Sequence, residues 1–181
     1  MPNDIYKVVL MGDAGVGKTS IRRNFAGKVF RESYIMTIGV EIALKTFEVK
    51  SKNLSYGNVT FLIWDLGGQL KFTRVRENYY LGSSGGILVY DITNRTSFEN
   101  LKNWLDELKK TRGVIPVILV GNKIDLRSQV SDTIPTEQGM KAAKELSDFY
   151  GYDIKFIETS AKTGENIEQA FNLLALEILG K

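Results

Sequence analysis

The sequence predicts an α/β fold, a largely parallel sheet with helices on both faces, and three observations predict it. Apolar runs at residues 8–11, 61–64, 87–90, 117–120 and 154–157 are continuous rather than alternating, as in strands buried on both sides. Stretches with helical spacing fall between them. Polar motifs follow the ends of the runs, where ligands bind in doubly wound sheets. No repeat, low-complexity tract or linker interrupts the 181 residues, so residues 1–181 read as one domain, long enough to bury a substantial core.

In chain order, the first run leads straight into Gly12-Asp13-Ala14-Gly15-Val16-Gly17-Lys18-Thr19, and Lys18-Thr19-Ser20-Ile21 can open a helix. Val40, Ile42 and Leu44 alternate with Glu41, Ala43 and Lys45, the pattern of a more exposed edge strand. Phe98, Leu101, Leu105 and Leu108 fall at helical spacing, and Thr96-x-x-Glu99 reads as a capping box at their start. Ala142, Leu146, Phe149 and Tyr150 mark a second helix. Ile167, Ala170, Phe171, Leu174 and Ile178 mark a third, with Asn166 as its N-cap.

The stretch Gly12–Thr19 has the form G-x-x-x-x-G-K-[ST] between a strand and a helix, the context that makes it a phosphate-binding loop. Gly15 and Gly17 let the backbone wrap closely around an anion, and successive N–H groups then point at phosphate oxygens. Asp13, Ala14, Gly15, Val16, Gly17, Lys18, Thr19 and Ser20 are therefore the expected phosphate contacts. Lys18 adds a point charge near the β and γ phosphates, and the Thr19 hydroxyl is a ligand for Mg²⁺.

Asp65-Leu66-Gly67-Gly68-Gln69 ends the second apolar run with a carboxylate. Asp-x-x-Gly alone is a common turn, but after a phosphate loop Asp65 reads as a holder of Mg²⁺ through water. The Gly68 N–H is aimed at a γ-phosphate and Gln69 orients an attacking water, so Lys18, Gly68 and Gln69 form the catalytic set. Asn122-Lys123-Ile124-Asp125 discriminates most. The Asp125 carboxylate can accept the N1–H and 2-amino donors of guanine, a pair that adenine lacks. Lys123 lies across the base, Asn122 ties the loop to its neighbours, and Ser160-Ala161-Lys162 closes the pocket with the Ala161 N–H directed at the guanine carbonyl.

Composition narrows the rest. Hydrophobic residues make up 43% and charged residues 25%, as in ordinary soluble proteins. The net charge is +3 with Lys and Arg dispersed, which points away from nucleic acid. The absence of Cys and His excludes disulfides, thiol catalysis and imidazole bases or ligands. No run approaches the roughly 20 apolar residues of a membrane span. Met1-Pro2-Asn3-Asp4 carries neither signal peptide nor myristoylation site, and Leu179-Gly180-Lys181 no prenylation box. The expectation is a cytoplasmic monomer that meets membranes only through partners or a tail absent from this chain.

From about Ile5 to Ile178 the chain resembles the Ras superfamily of small GTPases and is most similar to the Rab family. The resemblance implies a P-loop NTPase fold with a six-stranded sheet and one antiparallel edge strand, GTP or GDP with Mg²⁺ as ligands, and slow hydrolysis of GTP. It implies that Phe30 packs on guanine and Tyr34 covers the phosphates. Thr37, in Tyr34-Ile35-Met36-Thr37-Ile38-Gly39-Val40, ligates Mg²⁺ when triphosphate is bound, beside Thr19 and Asp65. Effectors, GTPase-activating proteins and exchange factors are expected on residues 30–49 and 64–80. Trp64 and Tyr79 resemble two aromatics of that surface, and packing in the core is an equal reading of both.

Several positions depart from the Rab pattern. Leu66, Gly67 and Leu70 replace the usual Thr, Ala and Glu, and Gly67-Gly68 is more similar to Arf and heterotrimeric α subunits. Ile42 stands where Rabs carry Phe, and the connection at residues 51–58 is longer than usual. Ala14 stands where many Ras-like proteins have glycine, and no residue matches the in-cis arginine of α subunits, so turnover should depend on an activating partner. Two other readings remain: a GTP-holding scaffold with little hydrolysis, and a P-loop ATP enzyme such as a small kinase, for which N-K-x-D has no use.

Overall fold

The computed structural model describes residues 4–27, 40–67 and 73–181, with the backbone alone at residues 73–76. The described elements are β1 (Ile5–Met11), α1 (Lys18–Phe25), β2 (Val40–Ser51), β3 (Leu54–Leu66), α2 (Thr73–Tyr80), β4 (Gly85–Asp91), α3 (Arg95–Glu99), α4 (Leu101–Arg112), β5 (Val117–Asn122), α5 (Thr136–Tyr150), β6 (Lys155–Thr159) and α6 (Ile167–Leu179). The strands form one six-stranded sheet in the order β2-β3-β1-β4-β5-β6. β2 runs antiparallel to β3, and the other pairings are parallel, as the resemblance implied.

The continuous apolar runs are explained by two cores, one on each face of the sheet. Val8 and Leu10 of β1 face one core with Ile21 and Phe25 of α1 and Phe171 and Leu174 of α6. Val9 and Met11 face the other with Trp104 and Leu105 of α4 and Leu146 and Tyr150 of α5. The Phe25 and Phe171 rings stack with centroids 3.8 Å apart, locking α1 to α6. Burying a side chain of that size contributes roughly 1.5–3 kcal/mol.

Local expectations needed three corrections. No capping box forms at Thr96 and Glu99, because α3 begins earlier. Asn94 is extended, and its carboxamide accepts the Ser97 N–H at 3.2 Å, so Thr96 already lies inside the helix. The single helix read through Leu108 is broken at Asn100 into α3 and α4. Residues 54–58, read as part of a long connection, belong to β3, which leaves a tight turn at Lys52-Asn53 with Lys52 at φ 52°. The extended hairpin is held to α6 by Asn172, whose carboxamide accepts from the Lys50 N–H at 2.9 Å and donates to its carbonyl at 2.7 Å. Asn166 does occupy the N-cap of α6, but its side chain donates to the Glu158 carbonyl at 2.8 Å rather than capping.

The connection after β1 leads toward the β3 side of the sheet and that after β4 toward β5. A crevice therefore opens beyond the carboxyl ends of β1 and β4. Asp65, Asp91, Asn122 and Thr159, at or near the ends of β3, β4, β5 and β6, line the same rim. Asp91 pairs in register with Asn122, and Asn122 with Thr159.

Candidate functional site

The glycine loop leaves β1 through Gly12, whose φ of 136° no L side chain adopts readily. A Cβ there would stand 2.1 Å from the Val89 carbonyl oxygen, so the loop lies directly on β4. Gly17, the N-cap of α1, has φ 103°, and a Cβ there would lie 2.2 Å from Asn122 Nδ2. Val16 is fully buried between these contacts, while Ala14 is exposed at the loop's outer face. Ser20 is half-buried in the first turn of α1.

Lys18 is 5% exposed and folds back over the loop, donating to the Gly12 and Asp13 carbonyls at 2.8 Å each. Thr19 donates its hydroxyl to the Asp65 carboxylate. Asp65 is fully buried, and burial pushes its carboxyl above the usual range against the opposing pull of Thr19, Lys18 and Arg22. Its Oδ1 finds no protein partner among the described groups. A hydroxyl beside a buried carboxylate with an oxygen to spare suits Mg²⁺, which takes few protein ligands and keeps several waters. The described residues hold no cluster of three or more acidic side chains that would suit a more demanding metal.

Arg22, on α1 and 4% exposed, pairs with Glu41 and lies 3.7 Å from the Asp65 carboxylate. In sequence an arginine on a helix reads as a solvated charge, and only the fold reveals that this one is buried against Asp65.

On the other side of the crevice, the Asn122 carboxamide joins three segments. Its Nδ2 donates to the Val16 carbonyl at 2.9 Å. Its Oδ1 accepts from the Thr159 hydroxyl at 3.0 Å and the Ala161 N–H at 3.2 Å. The Ala161 N–H, expected to face a guanine carbonyl, is donated to Asn122 in this structure. Ser160 donates to Asp125 Oδ1 at 2.6 Å and accepts the Thr163 N–H at 3.1 Å, which orients the carboxylate from the neighbouring loop. Lys123 is left-handed at φ 73°, and its ammonium lies 2.7 Å from Asp91 Oδ2. Lys162 follows Ala161 in the same loop and is exposed.

The structure thus brings Asp13, Lys18, Thr19 and Asp65 to one end of the crevice and Asn122, Lys123, Asp125, Ser160 and Ala161 to the other. Phe30, Tyr34, Thr37, Gly68 and Gln69 lie outside the described residues. Trp64 and Tyr79 pack together with ring centroids 5.8 Å apart, and the Lys7 ammonium sits 4.0 Å over the Trp64 ring. Both aromatics flank the second core, and Ile42 on the adjoining edge strand is 49% exposed. Asp91 ends the fully buried strand β4, the kind of position that marks Asp65, whereas Thr159 is the one buried residue of β6 and does not directly follow an apolar run. A separate groove between α5 and β6, lined by Met140, Tyr152 and Phe156 among others, touches none of the predicted site residues.

A strand–glycine loop–helix beside N-K-x-D and S-A-K loops, on the carboxyl edge of a six-stranded sheet, defines a P-loop nucleotide-binding protein. The family model described as Ras family matches residues 7–180. Curated relatives include the Ras-related protein Rab-13 of Canis lupus familiaris, 38% identical over 98% of this chain and 81% of the relative. Those of Mesocricetus auratus and Rattus norvegicus are 39% and 38% identical over the same shares. The chain belongs to the Ras family and is a Rab-like, GTP-binding small GTPase.

Proposed function

We propose that this chain, one GTPase domain over residues 1–181, is a switch that binds GTP or GDP with Mg²⁺. It hydrolyses GTP slowly and regulates trafficking or signalling through proteins that read its GTP state. The observation that carries this reading is Asn122. Its carboxamide fastens the phosphate loop at Val16 to the base-recognition loop at Ala161 and the strand end at Thr159. Asp125 is held alongside by Ser160. A site with that frame offers a carboxylate to the donor edge of guanine and N–H groups to phosphates.

Thr19 and Thr37 would hold the Mg²⁺, with Asp65 acting through water, and the ion would supply neutralisation of phosphate charge. Lys18 holds the β and γ phosphates by charge. Gln69 orients the water that attacks in line, and the Gly68 N–H holds the γ-phosphate that is lost. Loss of that contact and of the one to Thr37 would release residues 30–40 and 66–80, where effectors, activating proteins and exchange factors would bind. Slow turnover without a partner fits the lack of a matching in-cis arginine, since an arginine finger is worth roughly 10³–10⁵ in rate.

The test is single-turnover hydrolysis of bound GTP beside Gln69→Leu, with competition by GDP and ADP. Slow hydrolysis, slower still in the variant, together with displacement by GDP and not ADP, is the expected result. Bound GTP that persists identically in both proteins would leave a GTP-holding scaffold instead.

A further inference from the structure

Asp13 is an acid in a loop whose proposed ligand is a polyanion, so the direction of its carboxylate matters. It turns away from the crevice toward α4. Oδ2 accepts from Asn100 Nδ2 at 2.7 Å, and Oδ1 accepts from Trp104 Nε1 at 2.7 Å. Its main-chain carbonyl meanwhile accepts from the Lys18 ammonium at 2.8 Å. Asp13 is thus fastened to the helix by its side chain and to the loop's own lysine by its backbone.

The two donors are themselves held in place. Asn100 stands at the joint between α3 and α4, its N–H on the Thr96 carbonyl and its own carbonyl accepting the Asn103 and Trp104 N–H groups. Because a carboxylate only accepts, the Asn100 amide nitrogen must face Asp13. Trp104 is 2% exposed, and Leu101, Leu105 and Leu108 around it are equally buried, so the indole cannot follow a loop that moves. Hydrogen bonds from fixed donors to an anion are among the stronger ones available.

We propose that Asn100 and Trp104 are positioning residues for the phosphate loop, holding it through Asp13 in the conformation in which its N–H groups converge on a nucleotide diphosphate or triphosphate. The role rests on the reading of the loop as a nucleotide-phosphate site. It also accounts for the break between α3 and α4, since a regular helix through Asn100 would lose the joint that presents its amide.

A double-mutant cycle on release of a fluorescent GDP analogue from the purified full chain, with Mg²⁺, tests it. Trp104→Phe keeps the aromatic bulk and removes the N–H. Asp13→Ala removes both acceptor oxygens and leaves the main-chain carbonyl that Lys18 uses. Trp104→Phe should speed release about tenfold and Asp13→Ala at least as much, and the double variant should be no faster than Asp13→Ala alone, because that substitution already removes the acceptor of the indole. Asn100→Ala should speed release by about threefold through the same acceptor. A Trp104→Phe rate within twofold of wild type, or effects that multiply in the double variant, would overturn the assignment. Should Trp104→Phe fail to fold, Asn100→Ala in the same cycle with Asp13→Ala decides on the same criterion. Wild-type protein that does not bind the analogue, or loses it equally to ADP and GDP, would overturn the nucleotide reading itself and the tether with it, an outcome the cycle cannot be confused with.

Discussion

Asn122 donates to the Val16 carbonyl across 2.9 Å, joining the end of β5 to the middle of the glycine loop. The same carboxamide accepts from Thr159 and Ala161, so one buried side chain satisfies three otherwise isolated polar groups. Gly17 is required by that arrangement, because a Cβ on it would collide with the Asn122 nitrogen.

Asn122→Ala leaves the Val16 carbonyl, the Thr159 hydroxyl and the Ala161 N–H without this partner. Each unsatisfied buried group costs roughly 1–3 kcal/mol, so for the three groups a total loss of at least about 3 kcal/mol is expected. Urea unfolding with saturating GDP should show the loss, and GDP release should be faster by more than tenfold. Unchanged release would mean that the two loops hold their positions independently.

Asp91 divides its carboxylate between two tasks. Oδ1 accepts the Thr93 N–H and hydroxyl at 2.8 Å each, which leaves Oδ2 for Lys123. Asp91→Asn keeps the size but removes the charge that orients the lysine over the proposed base site. Equilibrium titration should show GDP affinity weakened by about tenfold with GDP still preferred over ADP, since Asp125 is untouched. Unaltered affinity would make the ion pair a feature of the strand ends alone.

Strands and the phosphate loop were legible because their causes are local. Burial on both faces writes a continuous apolar run, and a loop wrapped on an anion needs glycine where φ is positive. What was missed has causes far away in sequence. Asn100 breaks a helical pattern in order to reach Asp13. Gly139 sits inside α5, where glycine costs stability, because a Cβ would lie 2.3 Å from the Phe156 ring and 2.6 Å from the Tyr90 hydroxyl. Asp91 was readable in principle, as an acid ending a buried strand just as Asp65 does, but its partner Lys123 became apparent only once β4 and β5 paired. The capping box failed for a local reason: Asn94 and Thr96 both offer a side-chain oxygen, and the extended backbone at Asn94 decides between them.

Arg22 places a buried cation beside the carboxylate proposed to act on Mg²⁺. The guanidinium and the ion would draw on the same negative charge at Asp65. Arg22→Met should therefore strengthen the demand of Asp65 for a cation and lower the free Mg²⁺ at which GDP release becomes slow, by severalfold. The readout is GDP release measured across a series of buffered Mg²⁺ concentrations. A midpoint that stays in place, or rises, would show that Arg22 serves Glu41 alone.

Tyr90 is fully buried, and its hydroxyl finds no protein partner among the described groups. Burial, reinforced by the charge of Glu158 and opposed by Arg127, pushes its ionisation well above the usual tyrosine range. A phenol whose folded-state pKa exceeds its unfolded value contributes stability in full below the unfolded value, near pH 10, and loses it as pH rises from there toward the folded value. Over that window the unfolded chain releases a proton that the folded chain retains. Tyr90→Phe removes this dependence. At pH 7 the variant should be as stable as wild type or up to about 1 kcal/mol more stable, since a buried hydroxyl without a partner is lost. Between pH 10 and pH 11 its advantage should grow by about 1 kcal/mol in urea unfolding, because Tyr150 and Tyr152 titrate alike in both proteins and cancel. An advantage that stays constant with pH would place the Tyr90 hydroxyl in contact with solvent or with a partner that stabilises the phenolate.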